Sequence, residues 1–212
     1  MTQVKICGLS TLDTLEHAIK RGADMVGLVF YPPSPRNVSM AQAAMLANAA
    51  RGRTKIVALV VDADDELIKE ISRRVRPDFF QVQGKETPER VAEIKSSTGI
   101  PVIKAVLVSE LADVAAAQSY HNQAAMILFE AKAPANLEGA LPGGNGIAFD
   151  WNLLAGQKGF MLSGGLNPDT VANAIQATGA ACVDVSSGVE SSRGVKDKTL
   201  ISKFIEAAKS AR

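Results

Sequence analysis

The sequence predicts an α/β fold, a single-domain (β/α)8 TIM barrel spanning residues 1–212. Three observations carry this reading. Short apolar runs of strand length recur along the chain, most of them apolar on consecutive positions, as parallel strands buried on both faces are. Amphipathic helical patterns separate the runs, and strict alternation implies a parallel sheet with right-handed crossovers. The runs number eight, at about 26 residues per unit, which favours closure into a barrel over an open doubly wound sheet.

The predicted strands are Val4–Cys7, Met25–Phe30, Lys55–Val61, Phe79–Val82, Val102–Val106, Ala125–Phe129, Phe160–Ser163 and Cys182–Val185. After the first, Leu12, Leu15, Ala18 and Ile19 share one helical face. Leu67, Ile71 and Val75 do so after the third. Thr87-Pro88-Glu89 starts the fourth helix, with Thr87 as cap and Pro88 in the first helical position. Asn167-Pro168-Asp169 repeats that signal before Val171, Ala174 and Ile175. Asp197 starts the last helix, whose apolar face is Leu200, Ile201, Phe204 and Ile205. Gly22, Gly99, Gly156 and Gly179, and the Arg76-Pro77 pair, mark helix ends.

Composition excludes several classes of function. Lysine and arginine total 23 against 22 acidic residues, a net charge of +1, which argues against a nucleic-acid binder or a polybasic membrane-surface protein. A hydrophobic content of 47% is too high for a disordered chain. No apolar run approaches the roughly 18 residues of a membrane span, and no signal peptide is recognised. Cys7 and Cys182 are too few for a disulfide framework and lack zinc-site spacing. The expectation is a cytoplasmic protein with no metal site, no nucleic-acid or membrane partner, and a monomeric or homodimeric state.

A TIM barrel places its active site at the C-terminal ends of its strands. The seventh and eighth strands end in Ser163-Gly164-Gly165-Leu166 and Ser186-Ser187-Gly188. Gly-rich turns at this pair of positions suit a phosphate, because backbone N–H groups converge there without a Cβ in the way. Gly164, Gly165, Ser187 and Gly188 are therefore phosphate-site candidates. Cys7 ends the first strand, where its side chain is placed to face the mouth; as a thiolate it is a candidate base. Glu130 is the first charge after the sixth strand and completes an acid–base pair, although a solvated loop carboxylate is the commoner fate of such a residue. Arg36 follows three prolines and is a candidate fork for a carboxylate. Lys132 and Asp184 are weaker candidates. Cys182, inside the eighth run, reads as a structural cysteine. His17 and His121 lie away from the strand ends and are given no catalytic role.

These motifs carry a family resemblance along essentially the whole chain. They are Val4-Lys5-Ile6-Cys7-Gly8-Leu9, Phe30-Tyr31-Pro32-Pro33-Ser34-Pro35-Arg36, Pro142-Gly143-Gly144-Asn145-Gly146 with Phe149-Asp150-Trp151, Ser163-Gly164-Gly165-Leu166, and Asp184-Val185-Ser186-Ser187-Gly188-Val189-Glu190. The chain resembles the phosphoribosylanthranilate isomerases of tryptophan biosynthesis. The resemblance implies an Amadori rearrangement of a phosphosugar substrate, needing no cofactor or metal. It matches Cys7 to the base that removes the C2 proton and Arg36 to the residue holding the anthranilate carboxylate. The two Gly turns match the phosphate site, and Asp184 a polar residue at the ribose end.

Two positions depart from the family pattern. Glu130 stands where the family usually has aspartate, and Gln83 stands in Val82-Gln83-Gly84 where it usually has histidine. Gln83 retains hydrogen-bonding capacity, hence a substrate-binding role, but carries no charge. These departures keep open a non-catalytic or weakly active phosphosugar-binding barrel. A histidine-pathway aminoaldose isomerase is a third reading, against which Cys7 argues. Shortening Glu130 to aspartate is expected to keep or raise turnover, unless the loop from Ala131 to Ile147 is shaped around glutamate.

Overall fold

Eight parallel strands close into one barrel in the computed structural model, in which residues 2–134, 136–137 and 140–211 are described. Their spatial order is their chain order: β1 Gln3–Cys7, β2 Met25–Phe30, β3 Lys55–Val60, β4 Phe79–Val82, β5 Val102–Val108, β6 Met126–Ala131, β7 Met161–Leu162 and β8 Cys182–Val185. The barrel closes where Lys5 of β1 registers with Asp184 of β8. All six residues of β2 are buried, as its unbroken apolar run requires.

The helices α1 Leu12–Lys20, α2 Met40–Ala50, α3 Asp65–Arg74, α4 Pro88–Thr98, α5 Leu111–Ala116, α6 Val171–Thr178 and α7 Lys198–Ser210 cover the barrel. Thr11, Ser39, Asp64, Thr87 and Asp197 each accept a backbone N–H three residues on. Each such cap is worth about 1 kcal/mol. Thr87, Pro88 and Asp197 act as the sequence predicts, and Gly99 and Gly179 end their helices in the left-handed region. Asn167 does not cap α6. Its Oδ1 accepts from the N–H groups of Asp169 and Thr170, so the chain turns once and the helix begins after Thr170.

Two other differences bear on the site. Strand β6 runs two residues past the predicted end and includes Glu130. Between β6 and β7 the described residues form no α-helix, only a 3-10 turn at Trp151–Leu154. Pro134, Pro142, Gly143, Gly144 and Gly146 break helical periodicity there. After β8 the chain forms an antiparallel hairpin, β9 Glu190–Ser192 and β10 Val195–Lys196, which the sequence reading did not foresee.

The core has two parts. A large one, between strands and helices, is built from the outward-facing strand residues and the apolar helix faces. A small one fills the lower barrel with Met25, Val57, Ile103, Ala105, Leu128, Met161 and Cys182. Because strand side chains alternate, the residues two and four places after this layer face inward at the mouth.

Candidate active site

A cavity opens at the C-terminal ends of the strands. It is lined by Cys7, Arg36, Gln81, Gln83, Glu130, Ser163, Gly164, Gly165, Asp184, Ser186 and Ser187, among others. Every predicted site residue except Gly188 lines it. Gly188 sits just behind: a Cβ there would run into the Leu166 carbonyl, so the turns after β7 and β8 are in contact. Lys132 lies outside, half-exposed and 3.6 Å from Asp113.

One side of the mouth is built on β1 and β8. Cys7 is buried two residues above Lys5, which is fully buried and donates to Asp184 Oδ1 at 2.9 Å. Burial works against the Lys5 ammonium, but Asp184 and Cys7 outweigh it and hold the lysine above its ordinary range. Burial pushes the Cys7 thiol up. Lys5 opposes that shift, Asp184 adds to it, and Lys196 opposes it. Lys196 reaches in from β10 and donates to the Ser186 carbonyl at 2.8 Å and to Glu190 Oε1 at 2.7 Å; Ser186 Oγ donates to the Cys7 carbonyl at 3.2 Å.

Arg36 is not an open fork. Its Nε and Nη2 donate to the two oxygens of Glu190 at 2.7 and 2.9 Å, and Nη2 also donates to the Gly144 carbonyl at 3.4 Å. Nη1 makes no hydrogen bond among the described residues and is the edge left for a ligand. Burial favours neutral Glu190, but Arg36 and Lys196 pull its carboxyl down to about 2, so it remains a charged aiming post for both.

Another side of the mouth is built on β4 and β6. Glu130 is buried, not a solvated loop residue. Its Oε1 accepts from Gly144 N at 2.6 Å and its Oε2 from Gln83 Nε2 at 2.6 Å. Burial raises its pKa; the Gly144 N–H lowers it, Asp184 raises it and Gln83 lowers it, with a balance at about 7. The loop is shaped around this longer acid. A Cβ on Gly143 would stand 2.5 Å from both Gln83 Nε2 and Glu130 Oε2. Behind Gln83, the buried Lys104–Glu86 pair fixes the β4 loop: Lys104 donates to the Gly84 carbonyl, and Glu86 accepts from Gly84 N and Asp62 N.

Gly164 and Gly165 both adopt positive φ, +90° and +66°. A Cβ on Gly165 would lie 2.6 Å from Ala148 N, so the turn is pressed against the loop after β6 as well as open to the cavity. Among the described residues, no group of three or more His, Cys, Asp or Glu is arranged to hold a metal ion. No helix is long and apolar enough to cross a membrane.

Lys5, Gln81, Glu190 and Lys196 were missed as individual site residues. The sequence held a signal for two of them. Lys5 and Gln81 are polar residues inside apolar strands, at the same parity as Cys7 and Gln83, so they must face inward. Lys196 had no such signal, because the hairpin that delivers it has no strand-like pattern.

Residues 4–207 match the family described as N-(5'phosphoribosyl)anthranilate (PRA) isomerase. The N-(5'-phosphoribosyl)anthranilate isomerase of Parvibaculum lavamentivorans is 48% identical, with 99% of each chain covered. That of Rhodopseudomonas palustris is 53% identical, covering 97% of this chain and 95% of its own. The solved phosphoribosyl anthranilate isomerase of Thermotoga maritima superposes with a TM-score of 0.88 at 36% identity, over 99% of both chains. A phosphoribosyl anthranilate isomerase holding reduced 1-(o-carboxyphenylamino)-1-deoxyribulose 5-phosphate gives 0.85 at 34% identity, again over 99% of both.

Proposed function

The chain belongs to the N-(5'-phosphoribosyl)anthranilate isomerase family, and on that premise we propose which of its residues carry the reaction. It is an isomerase of tryptophan biosynthesis that converts N-(5-phosphoribosyl)anthranilate into 1-(2-carboxyphenylamino)-1-deoxyribulose 5-phosphate by an Amadori rearrangement. In our reading Glu130 is the general acid and Cys7 the general base. Glu130 gives its proton to the furanose oxygen. The bond from that oxygen to C1 breaks, and the nitrogen lone pair forms a C1=N iminium. The Cys7 thiolate then removes the C2 proton, and the electron pair released moves toward nitrogen to give an enaminol. Gain of a proton at C1 and loss of the 2-hydroxyl proton complete the ketone.

The remaining residues hold the substrate. The turns at Gly164-Gly165 and Ser187-Gly188 receive the phosphate, and the free Nη1 edge of Arg36 receives the anthranilate carboxylate. Asp184, tied to Lys5, faces the ribose, and Gln83 holds the acid. Anchoring both ends of the substrate is what keeps the ring between acid and base. Two free, buried cysteines suit a reducing cytoplasm. The convergence of Cys7, Glu130 and Arg36 on one cavity, from three different strands or loops, carries this reading.

Steady-state turnover, followed by anthranilate fluorescence, tests it. Cys7→Ser loses about 100-fold or more in kcat, because a hydroxyl is far less acidic than a thiol, while a product analogue binds within a few-fold of the parent. Full turnover in Cys7→Ser removes the thiol from the mechanism.

A further inference from the structure

Two glutamines on β4 stand beside the acid. Gln81 and Gln83 share the inward face of the strand and are both buried. Gln81 Nε2 donates to Gln83 Oε1 at 2.7 Å, and Gln83 Nε2 donates to Glu130 Oε2 at 2.6 Å. The Gln83 amide also donates to the Pro142 carbonyl at 3.3 Å. At the far end, Gln81 Oε1 is buried without a partner among the described residues.

The direction of this chain follows from what each group can do. The Pro142 carbonyl only accepts, as does Glu130 once ionised, so both take the nitrogen of Gln83. Gln83 must then turn its oxygen toward Gln81, and Gln81 must answer with its nitrogen. The oxygen of Gln81 is left over. A buried acceptor without a partner is destabilising. Two leucines would fill this volume without it, so the amides are not explained by packing.

We propose that Gln81 and Gln83 are positioning residues, a one-way amide ladder that surrounds Glu130 with donors alone and so leaves its proton for the substrate. Every hydrogen bond that Glu130 makes among the described residues is one it accepts, from Gln83 Nε2 and from Gly144 N. In the opposite register Gln83 would present its oxygen, accept the acid's proton and withdraw it from the ring oxygen. The Pro142 carbonyl, which can only accept, opposes that register, and Gln81 holds the oxygen of Gln83 on the side away from the acid. As the proton leaves Glu130, the two donors already point at the charge that forms. Neither glutamine needs to touch the substrate for this.

The proposal rests on Glu130 as the acid, and its test separates the two ideas. The charged groups facing Glu130 are Asp184 from β8, Lys5 from β1 and Arg36 from the loop after β2, all unchanged in the variants used. Carboxyl-labelled glutamate followed by NMR reports the midpoint of Glu130 whether or not it is catalytic. In Gln83→Leu that midpoint rises by about one unit, the size of one lost hydrogen bond to a charged group. Turnover falls about tenfold with KM within about twofold. Gln81→Leu leaves the Gln83 oxygen without its donor, so the amide beside Glu130 is held less firmly, and kcat falls about threefold. Should Gln83→Leu fail to fold by circular dichroism, Gln83→Asn, one methylene too short to span both partners, makes the same test. In the parent enzyme, the side-chain amide protons of Gln83 shift as Glu130 titrates.

A parent spectrum in which they do not shift overturns the ladder. So do variants with unchanged midpoint and kcat, or a rise in KM with kcat intact, which would make the glutamines substrate contacts. Full turnover in Glu130→Gln would instead overturn the acid assignment and leave the midpoint shift standing.

Discussion

The lower and upper halves of the barrel interior come from the same strands, two residues apart, and hold opposite chemistry. Leu128 on β6 gives way to Glu130, Met161 on β7 is followed by Ser163, and Cys182 on β8 by Asp184. The lower layer is apolar and closely packed. The upper layer is polar on β1, β4, β6, β7 and β8, where most polar groups are tied to another, while Val29, Leu59 and Val61 line its β2 and β3 side. A parallel strand thus gives its first inward residues to stability and its last to chemistry. The two cysteines show the contrast best. Both are buried and free, and burial raises both thiols. Cys182 is pushed to about 12, with Asp184 and Asp24 adding to the effect of burial and Lys5 and Lys209 opposing it. Cys7 has Lys5 and Lys196 working against burial. Position, and not exposure, separates the two thiols: Cys7 lines the mouth, whereas Cys182 lies in the apolar layer below it.

If chemistry is confined to the upper layer, the largest loss follows from changing Glu130. Glu130→Gln keeps the volume, and its amide oxygen can still accept from Gly144 N, but its amide nitrogen then meets Gln83 Nε2, donor against donor, and it has no acidic proton to give. Turnover falls by about 100-fold or more with KM little changed. Retention of most turnover would move the acid elsewhere in the mouth. Glu130→Asp is the next largest. The sequence allowed this change to be neutral or favourable; the structure does not. Gly143, Gly144 and Gln83 close on a glutamate-length side chain, and the shorter acid retreats from both of its donors. An approximately tenfold loss of kcat is expected, since misplacements near 1 Å commonly cost 10- to 100-fold. Equal or higher turnover would show that the loop relaxes around the shorter side chain.

The barrel was legible in the sequence because its signals are local. β2, β4 and β8 coincide with their predicted limits, since an unbroken apolar run starts and stops where burial does. The ends of β6 and β7 were not. Glu130 looks like a loop charge in sequence, and only the pairing with Leu107 of β5 keeps it in the sheet. The placement of candidate residues at the mouth was legible by strand position, whereas their hydrogen-bond partners were not. Arg36 gave no hint that Glu190, 154 residues later, occupies its fork, because an ion pair closed by tertiary folding leaves no periodic trace.

The upper layer also sets a pH profile that the lower layer cannot. On the proposed roles, the reactive site pairs protonated Glu130 with ionised Cys7. Glu130 titrates at about 7, and Cys7 lies above the ordinary thiol range. With the acid's pKa below the base's, the reactive form is the minor arrangement of the singly protonated site, and its share is constant while that site holds one proton. kcat/KM therefore rises as pH passes about 7 and falls only as the thiol is titrated. One unit below the lower midpoint it is roughly tenfold under the plateau, while the substrate phosphate's second ionisation, near 6, lies lower still. A kcat/KM that falls between pH 6 and 8 would mean that Cys7 is already ionised there and that Glu130 alone is titrating.

The smallest expected effect is at Cys182, and it is the sharpest test of the division. Cys182 is fully buried among Met25, Ile103, Leu128 and Met161, with only a long sulfur contact of 3.8 Å to the Val183 carbonyl. Serine is slightly smaller and brings a hydroxyl into an apolar layer. That costs about 1–2 kcal/mol of stability, through partial desolvation and the lost contacts of sulfur. For a chain of this size the loss lowers Tm by about 2–6 °C. Turnover stays within about twofold, because no group of the mouth takes its position from the Cys182 side chain. Cys7→Ser gives the reverse pattern, a large loss of turnover. Calorimetry and kcat on the two variants place each cysteine by its ratio of stability loss to activity loss. A Cys182→Ser enzyme that melts with the parent but has lost tenfold or more in kcat would show that the lower layer takes part in the chemistry.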